Sequence, residues 1–139
     1  MKNAIRIITG LILGYLFFSC SKESSNSEKV DLLTSHIWIA DSLLLDGEDA
    51  GGPGGMLENF SGDTKFNEDG TGYVGEIEGT WEFFNNETEI VINSDSLAIP
   101  VSMNIVELTA ESLKLTTSFP MPTLPPTTAA VRLTFKPKE

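Results

Sequence analysis

Cysteine and histidine each occur once, at Cys20 and His36. A lone Cys cannot close a disulfide within the chain, and one Cys with one His cannot supply the Cys/His sets that spacing identifies as zinc sites. Basic residues are scarce as well: 9 Lys+Arg stand against 20 Asp+Glu in 139 residues, a net charge of −11. Such a surface repels phosphate, so no nucleic-acid partner is expected. Neither a Gly-x-Ser-x-Gly elbow nor a His-Glu-x-x-His helix occurs, and His36 has no partner motif. No catalysis, metal or cofactor is therefore expected. Long apolar runs are missing too, since the uncharged stretch from Ile7 to Cys20 is shorter than the roughly 20 residues of a transmembrane helix. The length allows one small domain.

The N-terminus is written as an address. Lys2 and Arg6 precede the apolar run Leu11–Phe18, which ends in Ser19-Cys20 and passes at once into Ser21-Lys22-Glu23-Ser24-Ser25. That is the grammar of a signal peptide over residues 1–19. A Cys directly after the apolar run, with a small residue before it, resembles a bacterial lipobox, with Phe17 and Phe18 as in the looser lipoboxes of Bacteroidetes. The resemblance implies that Cys20 is lipidated, palmitate among its acyl chains, and becomes the first mature residue. Several acyl chains together hold a protein stably at a membrane. Ser21 rather than Asp at mature position two implies, by resemblance to diderm sorting rules, the outer membrane, with a periplasmic or a surface orientation. Removing residues 1–19 takes away Lys2 and Arg6 and no acid, moving the net charge to −13. Attachment must then come from the lipid, because so acidic a domain is repelled by anionic membrane surfaces. Residues 20–29, rich in Ser, read as the lipidated Cys and a tether that cannot pack a core.

From Val30 to Glu139 the chain reads as one domain of strands. Val30–Ser35 supplies a helical turn, and His36–Leu45 a strand with mixed faces. Further strands are expected over Leu57–Phe66, Thr71–Ile77, Thr80–Phe84, Thr88–Asn93, Ile99–Leu108, Glu111–Thr117 and Ala129–Lys136. Asn67-Glu68-Asp69-Gly70 is a hairpin turn of the Asp-Gly type, and Glu78-Gly79 reads as another. The period slips near Ile105-Val106, as at a β-bulge. About eight short strands joined by turns too short for crossover helices predict an all-β, antiparallel up-and-down barrel or a sandwich.

Leu32-Leu33-Thr34 leading into Trp38, then Lys65-Phe66-Asn67-Glu68-Asp69-Gly70-Thr71, Gly79-Thr80-Trp81-Glu82-Phe83 and Val106-Glu107-Leu108-Thr109-Ala110-Glu111-Ser112-Leu113-Lys114-Leu115 stand in a telling order. This order resembles the lipocalin-like lipoproteins of Bacteroidetes over nearly the whole mature domain. The resemblance implies a small calyx-like, eight-stranded β-barrel in the cell envelope, without implying a common ligand.

Most carboxylates fall in turns or on outward strand faces and read as a solvated surface. The loop Asp46–Met56 lacks the basic residues of a phosphate cradle and reads as a flexible rim or mobile lid. Asn67, Asp69, Thr71, Gly72 and Glu78 fall at calcium-loop offsets, yet the flanks are strands and the hairpin explains the same residues. Aromatics are the strongest remaining material: Tyr73, Trp81 and Phe83 are expected on one side of adjacent strands, with Phe66 across the hairpin and Met103 contributing. An eight-stranded barrel has an interior that is either filled by side chains or just holds one small ligand. Two roles stay open: a carrier of a small apolar or amphipathic ligand among Phe66, Tyr73, Trp81, Phe83 and Met103, or a solid barrel that docks onto another envelope protein. Phe119–Pro126, with four prolines in seven residues from Pro120, reads as a stiff extended loop and not as an interior strand.

Overall fold

The computed structural model describes residues 27–139. The expected signal peptide, Cys20 and most of the expected tether lie outside the described residues.

Helix α1 (Glu28–Thr34) comes first, its N-terminus capped by the Ser27 hydroxyl, which accepts from the Val30 N–H at 3.2 Å. The strands follow: β1 (Ile37–Leu45), the two-residue β2 (Glu48–Asp49), β3 (Asp63–Phe66), β4 (Thr71–Val74), β5 (Ile77–Phe84), β6 (Glu89–Asn93), β7 (Val101–Leu108), β8 (Leu113–Met121) and β9 (Thr127–Pro137). Apart from β2, which pairs with β1 alone, each strand runs antiparallel to its neighbour in sequence, and β1 also pairs with β9. Eight strands thus close into an up-and-down barrel, the architecture expected from the strand spacing.

Two bulges explain why two strands show mixed faces. In β1 the register against β9 shifts between Ala40 and Ser42. Trp38 points inward before the shift and Leu43 after it, both buried, although one is even and the other odd. A one-residue insertion reverses the alternation and brings the second half of the apolar set back to the core. The same happens in β7, where the register shifts between Ile105 and Glu107 and leaves Val106 exposed. The slip read near Ile105-Val106 is this bulge.

Three expectations need correction. Leu57–Phe66 is not one strand: Glu58–Phe60 forms a short 3-10 turn and only Asp63–Phe66 joins the sheet. Thr71–Ile77 is not one strand either, because the chain reverses at Gly75-Glu76 and pairs Val74 with Ile77. Glu78-Gly79 is therefore no turn but part of β5, opposite Tyr73 and Gly72. Gly75 has φ of +57°, and a Cβ there would lie 2.3 Å from the Asn59 carbonyl oxygen, so the reversal depends on glycine. Finally, Phe119, Pro120 and Met121 are strand, paired with Ala129, Thr128 and Thr127. The last β7–β8 pair is Asn104 with Thr116, so Pro120 lies past the reach of β7 and its missing N–H breaks no bond to that strand.

The core is the inward alternation made real. Trp38, Phe66, Ile90, Met103, Leu113, Leu115, Leu133 and Phe135 are each at most 2% exposed. Helix α1 touches both β3 and β7, which stand on opposite sides of the eight-strand ring, so it crosses one barrel mouth and buries Leu33 there. The Trp38 indole N–H donates to the Leu33 carbonyl at 2.9 Å and fastens the helix to β1. Lys65 reinforces this end, its ammonium donating to the carbonyl oxygens of Thr34 and His36.

Candidate functional site

The loop from Ala50 to Gly62 closes against the other end of the barrel. Leu57 N–H donates to the Ala50 carbonyl and Ala50 N–H to the Leu43 carbonyl, both at 2.9 Å, and Ala50 and Leu57 join the core. Two of its glycines serve close approach: a Cβ on Gly55 would sit 2.1 Å from the Ala50 carbonyl oxygen and one on Gly51 2.8 Å from the Leu43 side chain. The Gly54 N–H is held by the Glu58 carboxylate at 2.8 Å, and the Glu76 N–H by the Asn59 carbonyl at 3.0 Å. The expected mobile lid is thus a packed plug. Glycine abundance suggests flexibility in the sequence, yet Gly51 and Gly55 serve tight packing.

The aromatic set divides across the barrel wall. Phe66, Trp81 and Phe83 face inward, with edge-to-face contacts of 5.6 Å for Phe66–Trp81 and 5.4 Å for Trp81–Phe83. Met103 is buried at 1% exposure, directly opposite Ile90. Tyr73 does not join them. Its partners across the ladders are Lys65 and Glu78, while the inward positions of β4 are Gly72 and Val74. The Gly75-Glu76 reversal, taken as strand interior in the sequence reading, is what misassigned its face. Four of the five residues expected to line a cup therefore lie in the interior, and Tyr73 lies on the outer surface.

That interior leaves no room for a molecule beside these side chains. The gap between Phe66, Val74, Ile77, Trp81 and Ile92 measures about 10 Å³, no more than one water requires. Inward side chains of β1, β3, β6, β7, β8 and β9 are at 0–2% exposure, so no water-sized sphere reaches them. Among the described residues the one polar misfit is Thr64, fully buried between Trp38 and Val74 across the ladders, whose hydroxyl has no hydrogen-bond partner.

Larger concavities lie outside. One of them, about 880 Å³, runs between the outer face of β4–β5 and the Asn93–Pro100 segment that joins β6 to β7. Half-buried Tyr73 forms part of its wall. Thr71, Glu78 and Thr80 continue that wall, and Asn93, Ser94 and Asp95 face them from the loop. Glycine sets the geometry. A Cβ on Gly79 would approach the Asn93 carbonyl oxygen to 2.0 Å, so only glycine lets the loop start this close to β5. The Ser94 hydroxyl donates to the Glu78 carbonyl, and the Leu97 N–H donates to the Ser94 carbonyl at 3.0 Å. The sequence reading missed this groove, although an outward Tyr73 with Thr71 would have followed from placing the turn at Gly75-Glu76.

The residues at calcium-loop offsets are used by the hairpin itself. The Asp69 carboxylate accepts from the Thr71 N–H at 3.0 Å and the Thr71 hydroxyl at 2.6 Å, which holds its carboxyl below the ordinary carboxylate range. Among the described residues no three His, Cys, Asp or Glu side chains converge as a metal site. Elsewhere on the surface, Lys114 pairs with Glu107 at 2.7 Å and Lys138 with Asp63 at 2.6 Å. No described helix is long and apolar enough to cross a membrane. Neither a protein-family model nor a curated protein matches this chain.

Proposed function

We propose that this protein is a non-catalytic, lipid-anchored barrel of the outer membrane, akin to the lipocalin-like lipoproteins of Bacteroidetes, and that it works through its outer surface. The observation that carries this reading is the interior: filled by Trp38, Phe66, Met103 and Phe135, and covered by α1 at one end and by the Ala50–Leu57 plug at the other. Of the two roles open in the sequence, an apolar cargo inside the barrel and a solid barrel presenting a surface, the geometry favours the second. The Ser19-Cys20 pattern supports the anchor, and the acidic mature domain supports attachment by lipid rather than by charge.

Both halves of the proposal can be tested. Replacing Cys20 with Ala should release the protein from membranes; retention with normal signal cleavage would remove the anchor. Titration with palmitate or an anilinonaphthalene dye, followed through the fluorescence of buried Trp38 and Trp81, should give no saturable signal. A saturable one-to-one change would restore the cargo reading.

A further inference from the structure

We infer that the outer groove between β4–β5 and the Asn93–Pro100 segment is a binding site for an uncharged, hydroxyl-rich ligand of the carbohydrate class. The inference rests on the outer-surface reading above and names the site and its ligand chemistry.

Size comes first. About 880 Å³ falls within the roughly 300–1,000 Å³ of small-molecule sites. The groove is open to solvent, which suits a ligand that stays partly hydrated.

Charge and polarity then narrow the occupant. No Lys or Arg lines the groove, whereas Glu78 and Asp95 do. Phosphates and carboxylates would meet two like charges and no counter-ion, so an anionic ligand is disfavoured. Leu97, Ala98, Ile99 and Pro100 add apolar surface at the loop end, yet a purely apolar ligand is disfavoured as well, because it would strip water from carboxylates, amides and hydroxyls without replacing their hydrogen bonds. An uncharged polyol answers each of these groups. Its hydroxyls donate to Glu78 and Asp95, and exchange hydrogen bonds with the Asn93 amide and the Thr80 hydroxyl. Tyr73 supplies the remaining element, an aromatic surface among polar groups, against which the C–H face of a sugar ring can pack.

The framework is set before a ligand arrives. The Ser94 hydroxyl bonded to the Glu78 carbonyl fixes the loop to β5, and the Gly79 approach to Asn93 sets the spacing of the walls. Such preorganisation lowers the ordering cost of binding.

The test uses the protein as purified, with amide chemical shifts followed by NMR during titration with neutral oligosaccharides of glucose, galactose, mannose and N-acetylglucosamine. At least one should give saturable shifts confined to residues 71–80 and 93–100, little altered by added salt. Tyr73→Ala, on the outer face and outside the core, should weaken that binding about tenfold or more, while Tyr73→Phe, which keeps the ring, should largely retain it. Arg132→Ala, on β9 across the barrel, should leave it unchanged. Absence of saturable shifts with every member of the panel would overturn the inference. So would shifts mapping elsewhere, undiminished binding by Tyr73→Ala, or binding of spermidine or a sugar phosphate in place of the neutral sugars. If the sugars fail while the barrel still excludes palmitate, only the groove is lost; palmitate uptake removes the outer-surface reading itself.

Discussion

The indole N–H of Trp81 donates to the main-chain carbonyl of Asn67 at 3.0 Å, tying the middle of β5 to the start of the β3–β4 turn. The bond is doubled by the backbone, since the Trp81 N–H donates to the Gly70 carbonyl at 2.8 Å. Trp38 does the same at the helix end through the Leu33 carbonyl. Each tryptophan thus combines apolar bulk in the core with one polar handle that holds a neighbouring segment, a use to which the indole is suited.

Truncating Trp81 removes both contributions. Trp81→Ala is expected to cost roughly 3 to 5 kcal/mol, and Trp81→Phe about 1 kcal/mol for the lost hydrogen bond, since the Asn67 carbonyl still accepts from the Gly70 N–H at 3.0 Å. Urea denaturation of the two variants measures this directly. A loss well under 1 kcal/mol for Trp81→Ala would mean that the side chain borders open space rather than packed core.

Thr64 offers the opposite sign. Its hydroxyl is buried without a partner, so the folded state carries a desolvation cost that it does not recover. Thr64→Val replaces that hydroxyl with a methyl of similar size and should leave stability unchanged or raise it by about 1 kcal/mol. Its urea midpoint should sit at or above that of the parent; a clear drop would show that the hydroxyl has a partner within the core.

The response to pH follows from three surface contacts. Asp69 is held below its ordinary range chiefly by the Thr71 hydroxyl, and Glu107 chiefly by its hydrogen bond with Lys114. Lowered folded values mean that these contributions are whole above the ordinary carboxylate range near pH ~4 and disappear as pH falls through the lowered values. Lys138 is raised, first by its hydrogen bond to Asp63. Its contribution is whole below about pH 10 and is lost as pH rises through the raised value. Urea midpoints should therefore be level between these limits and decline on both sides. Asp69→Asn should flatten the acid side and Asp63→Asn the alkaline side; an unchanged acid limb in Asp69→Asn would contradict this account of the turn.

Alternation made much of this fold legible. Ala129, Val131, Leu133 and Phe135 alternate with Ala130, Arg132, Thr134 and Lys136, a pattern that predicts one inward face, and all four are at most 3% exposed. Ile90 and Ile92, set apart from Glu89 and Val91 by the same period, face inward, and Trp81 and Phe83 share one inward face as expected. The failures cluster where glycine permits what side chains forbid. The tight reversal at Gly75 hid inside an apolar run, and its omission reversed Tyr73. The Ala50–Gly55 segment looked loose because glycine count alone cannot distinguish mobility from close backbone packing. The groove was illegible for a further reason. Its walls come from residues 71–80 and 93–100, which meet only once the β5–β6 register is set and Gly79 admits the Asn93 carbonyl.

The central claim is that the barrel interior holds side chains and nothing else. Native mass spectrometry of the protein purified from its host, followed by organic extraction and lipid analysis, tests it most directly. The account predicts a mass equal to the processed chain plus the acyl groups on Cys20, with no further apolar molecule in stoichiometric amount. A stoichiometric apolar compound that is retained by the Cys20→Ala protein and lost on unfolding would contradict it.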